Sequence, residues 1–201
     1  MSTVAAGTRE RLLSAAQELV EEGGYGAASV LAIAERAGVA AGTLYRHWPS
    51  KGELFAELFR VVCDREIAAM EAAAKRTAAR TRATHVQTVQ TVLLTFAERA
   101  LRNPRLAWAL IAEPVDPLVD AERIAYRREY ARRLVDGLRE AIAAGEIPEQ
   151  DVELTAAALV GGVGEALVGP LSPVPGTAPP AGEIIAALRT FVARAVGARA
   201  A

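Results

Sequence analysis

The chain has 201 residues, a net charge of −1, 52% hydrophobic and 23% charged residues, and one cysteine. That length buries a real core in one or two domains, and the composition excludes a disordered chain. Near-neutral charge means that any nucleic-acid partner must be met by a local patch, and a lone Cys63 excludes an internal disulfide and a cysteine zinc cluster.

Ala, Leu, Glu and Arg dominate, and β-branched alternation is nowhere sustained, so the chain reads as helix nearly throughout. Thr8 caps a first helix over 9–22, whose stripe of Leu12, Leu13, Ala16, Leu19 and Val20 has helical spacing, and Gly23-Gly24 ends it. Ser29 caps a short helix over 30–37, Gly38 turns the chain, and a third short helix runs over 40–48. Pro49 breaks it, and Ser50 with Glu53 opens a long helix that reaches about residue 82 as a capping box. Further helices are expected over 84–101, 104–111, 120–144, 151–168 and 183–197, with a Pro-rich loop over 170–182. This gives an all-α fold of about nine helices.

The most apolar run, 154–171, contains Glu165, Thr155 and four glycines, which favours a buried helix over a membrane span. The start, MSTVAAGTRERLL, lacks the order of a signal peptide, so a soluble cytoplasmic protein is expected. Cys63 lies among apolar neighbours and reads as an inert thiol. The arginines at 123, 127, 128, 132, 133 and 139 interleave with acids and read as a solvated helix face. No nucleophile elbow, Cys-His pair or metal cluster is present in the sequence, so neither an enzyme nor a cofactor is expected.

The densest chemistry lies in GVAAGTLYRHWPSKGEL, residues 38–54. Two short helices joined at Gly38 make a helix-turn-helix over 29–48, with Ile33, Ala34, Ala37, Val39 and Leu44 inward. Thr43, Tyr45, Arg46 and His47 are left on the outer rim of the second helix, the one that enters the major groove in this motif. Tyr45, His47 and Lys51 carry donors suited to phosphates, whereas Trp48 is expected in the core.

The segment from about 7 to 66, with SVLAIAERAGVAAGTLYRHWPSKGELFAEL at its centre, resembles the DNA-binding domain of TetR-family transcriptional repressors. The resemblance implies DNA-contact roles for Ser29, Thr43, Tyr45, His47 and Lys51, and a close backbone approach at Gly42. Leu31 stands where the family often has a polar residue, and Ala40 and Ala41 replace its usual polar openers of the recognition helix. Base-specific contacts are therefore expected from Thr43 and Arg46, or from DNA shape. Residues 67–201 are expected to form a helical effector-binding and dimerisation domain. The family implies an effector pocket, for which Glu66, Met70, Phe96, Trp108, Ile111, Glu113, Tyr126 and Tyr130 are the candidates, so a mainly hydrophobic small-molecule effector is expected. The apolar segments 153–168 and 183–197 are expected to pair with a second copy, giving a homodimer on palindromic double-stranded operator DNA. The competing reading is a DNA-independent helical protein that binds a small molecule, in which the corner serves packing alone.

Overall fold

A computed structural model describes residues 7–174, 176 and 178–198. The described residues are all-α, with eight α-helices and one 3₁₀ helix: α1 (Thr8–Ala27), α2 (Val30–Arg36), the 3₁₀ helix (Ala41–Arg46), α3 (Lys51–Ala78), α4 (His85–Arg102), α5 (Pro104–Ile111), α6 (Pro117–Ala143), α7 (Val152–Leu171) and α8 (Ala181–Ala195). They divide into two compact units. The first comprises the described residues up to Val62 together with Asn103–Arg123, and the second comprises Cys63–Arg102 and the described residues from Ile124 onward. The segment 103–123, expected in the C-terminal domain, thus lies with the helix-turn-helix.

In the first unit α1 packs on both α2 and α5, around Leu12, Ile33, Leu44 and Leu54, which are fully buried. Gly23-Gly24 was expected to end α1. The helix instead breaks at Gly24, where φ is +80°, and resumes for a last turn to Ala27. That dihedral excludes side chains, and so does the space, since a Cβ on Gly24 would lie 2.8 Å from a Glu113 carboxylate oxygen. Pro117 opens α6 three residues before the expected start, because proline at a first helical turn loses no hydrogen bond.

Arg123 departs from the expected solvated face. Its side chain is only 13% exposed. Its Nε donates to the Leu110 carbonyl at 2.8 Å, and Nη2 donates to those of Ala109 and Glu113 at 2.7 and 2.6 Å. The Ala109 and Leu110 carbonyls lie in the last turn of α5 and that of Glu113 just beyond it, where no further turn satisfies them. Arg123→Met is expected to destabilise the protein by about 2–3 kcal/mol, measured by urea unfolding, because it leaves charge-assisted acceptors unmet.

In the second unit α4 packs against α7 and α8. The Glu146 carboxylate accepts from the backbone N–H groups of His85 and Val86, at 3.1 and 2.9 Å, and so closes the start of α4 from 60 residues away. The Gln90 side chain, the one buried polar side chain among the described residues, donates to the Arg189 carbonyl of α8 at 3.1 Å. On α7 a stripe of Val152, Ala156, Leu159, Val163, Leu167 and Leu171 is buried. The opposite face carries Leu154, Ala157, Ala158 and Gly161 outward. This helix is long and apolar enough to cross a membrane, yet only 28% of its most apolar window is buried within the chain. The expected buried helix is therefore covered on one side only. The 170–182 loop is shorter than expected: α7 absorbs Pro170 and Leu171, and α8 begins at Ala181. Pro175 and Thr177 of that loop lie outside the described residues.

Candidate nucleic-acid interface

The corner is built from its caps inward. Ser29 Oγ accepts the Ala32 N–H at 3.1 Å and starts α2. Gly38 takes φ +66°, the left-handed value that turns the chain between the two short helices. The second of them is a 3₁₀ helix over Ala41–Arg46, shorter than the 40–48 expected. Gly42 within it and Pro49 beyond it both oppose a regular α-helix. Ser50 Oγ then accepts the Glu53 N–H at 3.1 Å and opens α3.

Inside the corner Leu44 is fully buried and Trp48 nearly so. The Trp48 indole N–H donates to Glu57 at 2.8 Å, and the Arg9 guanidinium lies over its ring while pairing with the same carboxylate. Trp48 is therefore held at its N–H edge and over its ring face, as expected of a core residue. Trp48→Phe is expected to cost about 1–2 kcal/mol of stability by chemical denaturation while leaving the outer rim in place, since it removes one hydrogen bond to an ionised group.

The outer rim is open. Tyr45 is 55% exposed and Leu31 72% exposed, and Arg46, His47 and Gly42 are exposed too. Arg46 makes no ion pair among the described residues. A Cβ on Gly42 would stand in open space, so side-chain packing within the chain does not require glycine there. Thr43 is half-buried, and its N–H donates to the Ala40 carbonyl at 2.8 Å. Ser29 spends an acceptor lone pair on its cap, but its O–H remains a donor.

Two cations of this region are already engaged. Arg36 forms paired contacts of 2.8 Å with Glu22, which hold that carboxyl below its usual range. Lys51 is half-buried: its Nζ lies 4.2 Å from the centre of the Tyr25 ring and 5.2 Å from that of Phe55, and donates to the Tyr25 carbonyl at 3.4 Å. Burial lowers its pKa, an effect that the nearby Glu113 carboxylate opposes. Glu57, Tyr25 and Glu113 are the supports that the sequence reading missed. Glu113 meets Tyr25 across 88 residues, and no local spacing signals such a pair.

The effector candidates fall into two groups. Trp108, Ile111 and Glu113 belong to the first unit, and Glu66, Met70, Phe96, Tyr126 and Tyr130 to the second. In the second unit Met70 is buried, and Phe96, Tyr130 and Tyr126 form an aromatic row with centroid spacings of 5.8 and 6.2 Å. Glu66 accepts two bonds from Arg99, at 2.5 and 2.9 Å. The Tyr126 hydroxyl donates to Asp64 at 2.7 Å. Burial, then the neighbouring Cys63 and Glu66, push the Tyr130 phenol well above its ordinary range, so it is a neutral donor. Cys63 is buried, as expected.

A buried corner with an open polar rim is the arrangement of a helix-turn-helix DNA-binding protein. Residues 12–58 match the family described as bacterial regulatory proteins, tetR family. The HTH-type transcriptional repressor KstR of Mycobacterium tuberculosis (strain ATCC 25618 / H37Rv) is 33% identical over 144 residues, which cover 71% of this chain and 61% of that protein. The chain thus spans about three fifths of this relative's length. FadR of Bacillus subtilis, solved in complex with stearoyl-CoA, superposes with a TM-score of 0.73 at 24% identity, over 93% of this chain and 97% of that one. RolR, solved with resorcinol, gives 0.71 at 17% identity, over 96% of this chain and 88% of that one. The chain belongs to the TetR family of transcriptional regulators.

Proposed function

We propose that the chain is a cytoplasmic, homodimeric transcriptional repressor that binds a palindromic operator and is released from it by a mainly hydrophobic small molecule. The observation that carries this reading is the corner at 29–48, where Ile33, Ala34, Ala37, Leu44 and Trp48 are buried while Tyr45, Arg46 and His47 stand exposed on one rim. Tyr45, His47, Ser29 and Lys51 hold phosphates, Gly42 lets the backbone approach, and Thr43 and Arg46 address base edges. No step of this function is chemical, and it needs no catalytic group or cofactor.

One 3₁₀ helix addresses only a few base pairs, so specificity requires two copies. The open faces of α7 and α8 supply the contact. Leu154, Ala157, Gly161 and Phe191 are exposed there, and small residues admit a close helix approach. In the second unit Met70, Phe96, Tyr126 and Tyr130 form the effector site, with Glu66 and the Tyr130 hydroxyl as its polar anchors. FadR and RolR, each solved with a small organic molecule, support an effector of that kind. Of the remaining candidates, Trp108 and Ile111 are half-buried in the first unit, and Glu113 is engaged at the α1 kink.

α3 carries Lys51 in its first turn and Glu66 and Met70 further along, so one helix spans both functions. An effector shifts the equilibrium only by its difference in affinity between the two states, and operator DNA must weaken effector binding by the same factor. Tyr45→Phe is expected to weaken all duplexes alike by about 3–10-fold, the effect of one lost phosphate bond, whereas Arg46→Ala alters sequence preference. Fluorescence anisotropy on matched and scrambled duplexes measures both. If the folded chain binds a small molecule but gives no duplex signal, the DNA-independent reading replaces this one.

A further inference from the structure

Lys51 and Tyr25 form a joint in the first unit that two carboxylates of the 103–123 segment border: Glu113 at the Tyr25 backbone, and Asp116, which lies near Tyr25 and against Gly52 beside Lys51. The α1 kink at Gly24 releases the backbone around Tyr25 from the helix ladder. Glu113, just beyond α5, takes up the freed Tyr25 N–H at 3.0 Å, with a carboxylate oxygen 2.8 Å from where a Gly24 Cβ would stand. Arg105 of α5 donates to the Gly23 carbonyl at 2.9 Å, the other side of the same break. The Tyr25 ring packs edge-on against Phe55 at 4.6 Å, and the two rings with the Tyr25 carbonyl enclose the Lys51 ammonium. The ammonium has three protons. One goes to the Tyr25 carbonyl and the ring faces attract its charge, so its direction is fixed by where Tyr25 stands.

We infer that Glu113 is a positioning residue for DNA binding: by holding the Tyr25 backbone at the α1 kink, it stations the Lys51 ammonium at the start of α3, and any movement of the 103–123 segment is felt at Lys51. This rests on the DNA-binding reading above for its consequence, though not for its geometry. A flexible lysine pays rotamer entropy when it meets a phosphate, and one already held between two rings pays less. Displacing Glu113 therefore weakens DNA binding without touching any group on the outer rim.

The test uses the full chain and three substitutions. Glu113→Ala removes the acceptor, Glu113→Asp keeps the charge but withdraws the oxygen by one methylene, and Glu113→Gln keeps the acceptor in place. In DNA-free protein, the Lys51 ε-methylene protons are expected to be shifted by the Tyr25 and Phe55 rings, and the Tyr25 amide to exchange slowly. Glu113→Ala and Glu113→Asp are expected to lose the ring-induced shift and speed the exchange, and Glu113→Gln to retain most of both. On a selected duplex, Glu113→Asp is expected to weaken binding about tenfold and reduce the salt slope by about one phosphate. In a Lys51→Met background the same change is expected to add less than about twofold, since the interaction it acts through is gone. Unchanged Lys51 shifts in Glu113→Asp, or affinity losses that simply multiply with Lys51→Met, overturn the inference. If Glu113→Ala does not fold, Glu113→Asp and Glu113→Gln decide. If the wild-type chain binds no duplex, the repressor reading fails while the proton shifts still decide the role of Glu113.

Discussion

In the proposed homodimer, replacing Phe191 by Asp is expected to give a monomer and to weaken operator binding by at least about 100-fold. Phe191 is 42% exposed on α8 and lies against Gly162 of α7, where an added Cβ would come within 2.9 Å of its ring. A half-exposed aromatic on an open apolar face contributes little to the chain alone but anchors a helix–helix contact. A charge there must be desolvated if the two copies close over it. The loss on DNA follows from valency, because each half-site contact is weak and the second is favourable only when tethered to the first. Sedimentation and anisotropy on the same preparation measure both effects. A Phe191→Asp dimer of normal operator affinity would remove α8 from the interface.

The second large effect is on stability. Leu44→Ala is expected to lower the unfolding free energy by about 3 kcal/mol and to abolish sequence-specific binding at 37 °C. Leu44 is fully buried beneath the rim residues that flank it, Thr43 and Tyr45. Its removal leaves a cavity in a corner of short helices, where little else can collapse to fill it. The effect should be confined to the first unit, so hydrogen exchange is expected to rise in α2 and the 3₁₀ helix while α4 and α7 stay protected. Uniform loss of protection across both units would contradict that division.

The parts of this molecule that local chemistry decides were legible in the sequence. Ser29 and Ser50 cap the helices they were expected to cap, Gly38 turns as glycine must, and Leu44 and Trp48 are buried at their helical spacing. The family signature at 29–58 is local in the same sense. What escaped was decided by distant pairs. Arg123 looked like one more charge on a solvated face, yet it serves the carbonyls at the end of α5. Lys51 carried a phosphate donor's chemistry, but nothing near it in sequence announced that Tyr25, 26 residues earlier, encloses it. Gly24 looked like a helix end because a left-handed glycine usually is one, and here the chain resumes its helix after the break. Effector candidates chosen by residue type alone scattered over two units, since aromatic and acidic side chains serve packing and pockets alike.

Selection from a randomised pool of duplexes by the full-length chain tests the central claim most directly. The expected result is recovery of an inverted repeat bound by two protomers, with half-sites about one helical turn apart or a little more. The affinity is expected to fall steeply with salt, as several phosphates are neutralised. A folded, dimeric preparation that enriches no sequence, and holds duplexes no more tightly at low salt than at high, would contradict it.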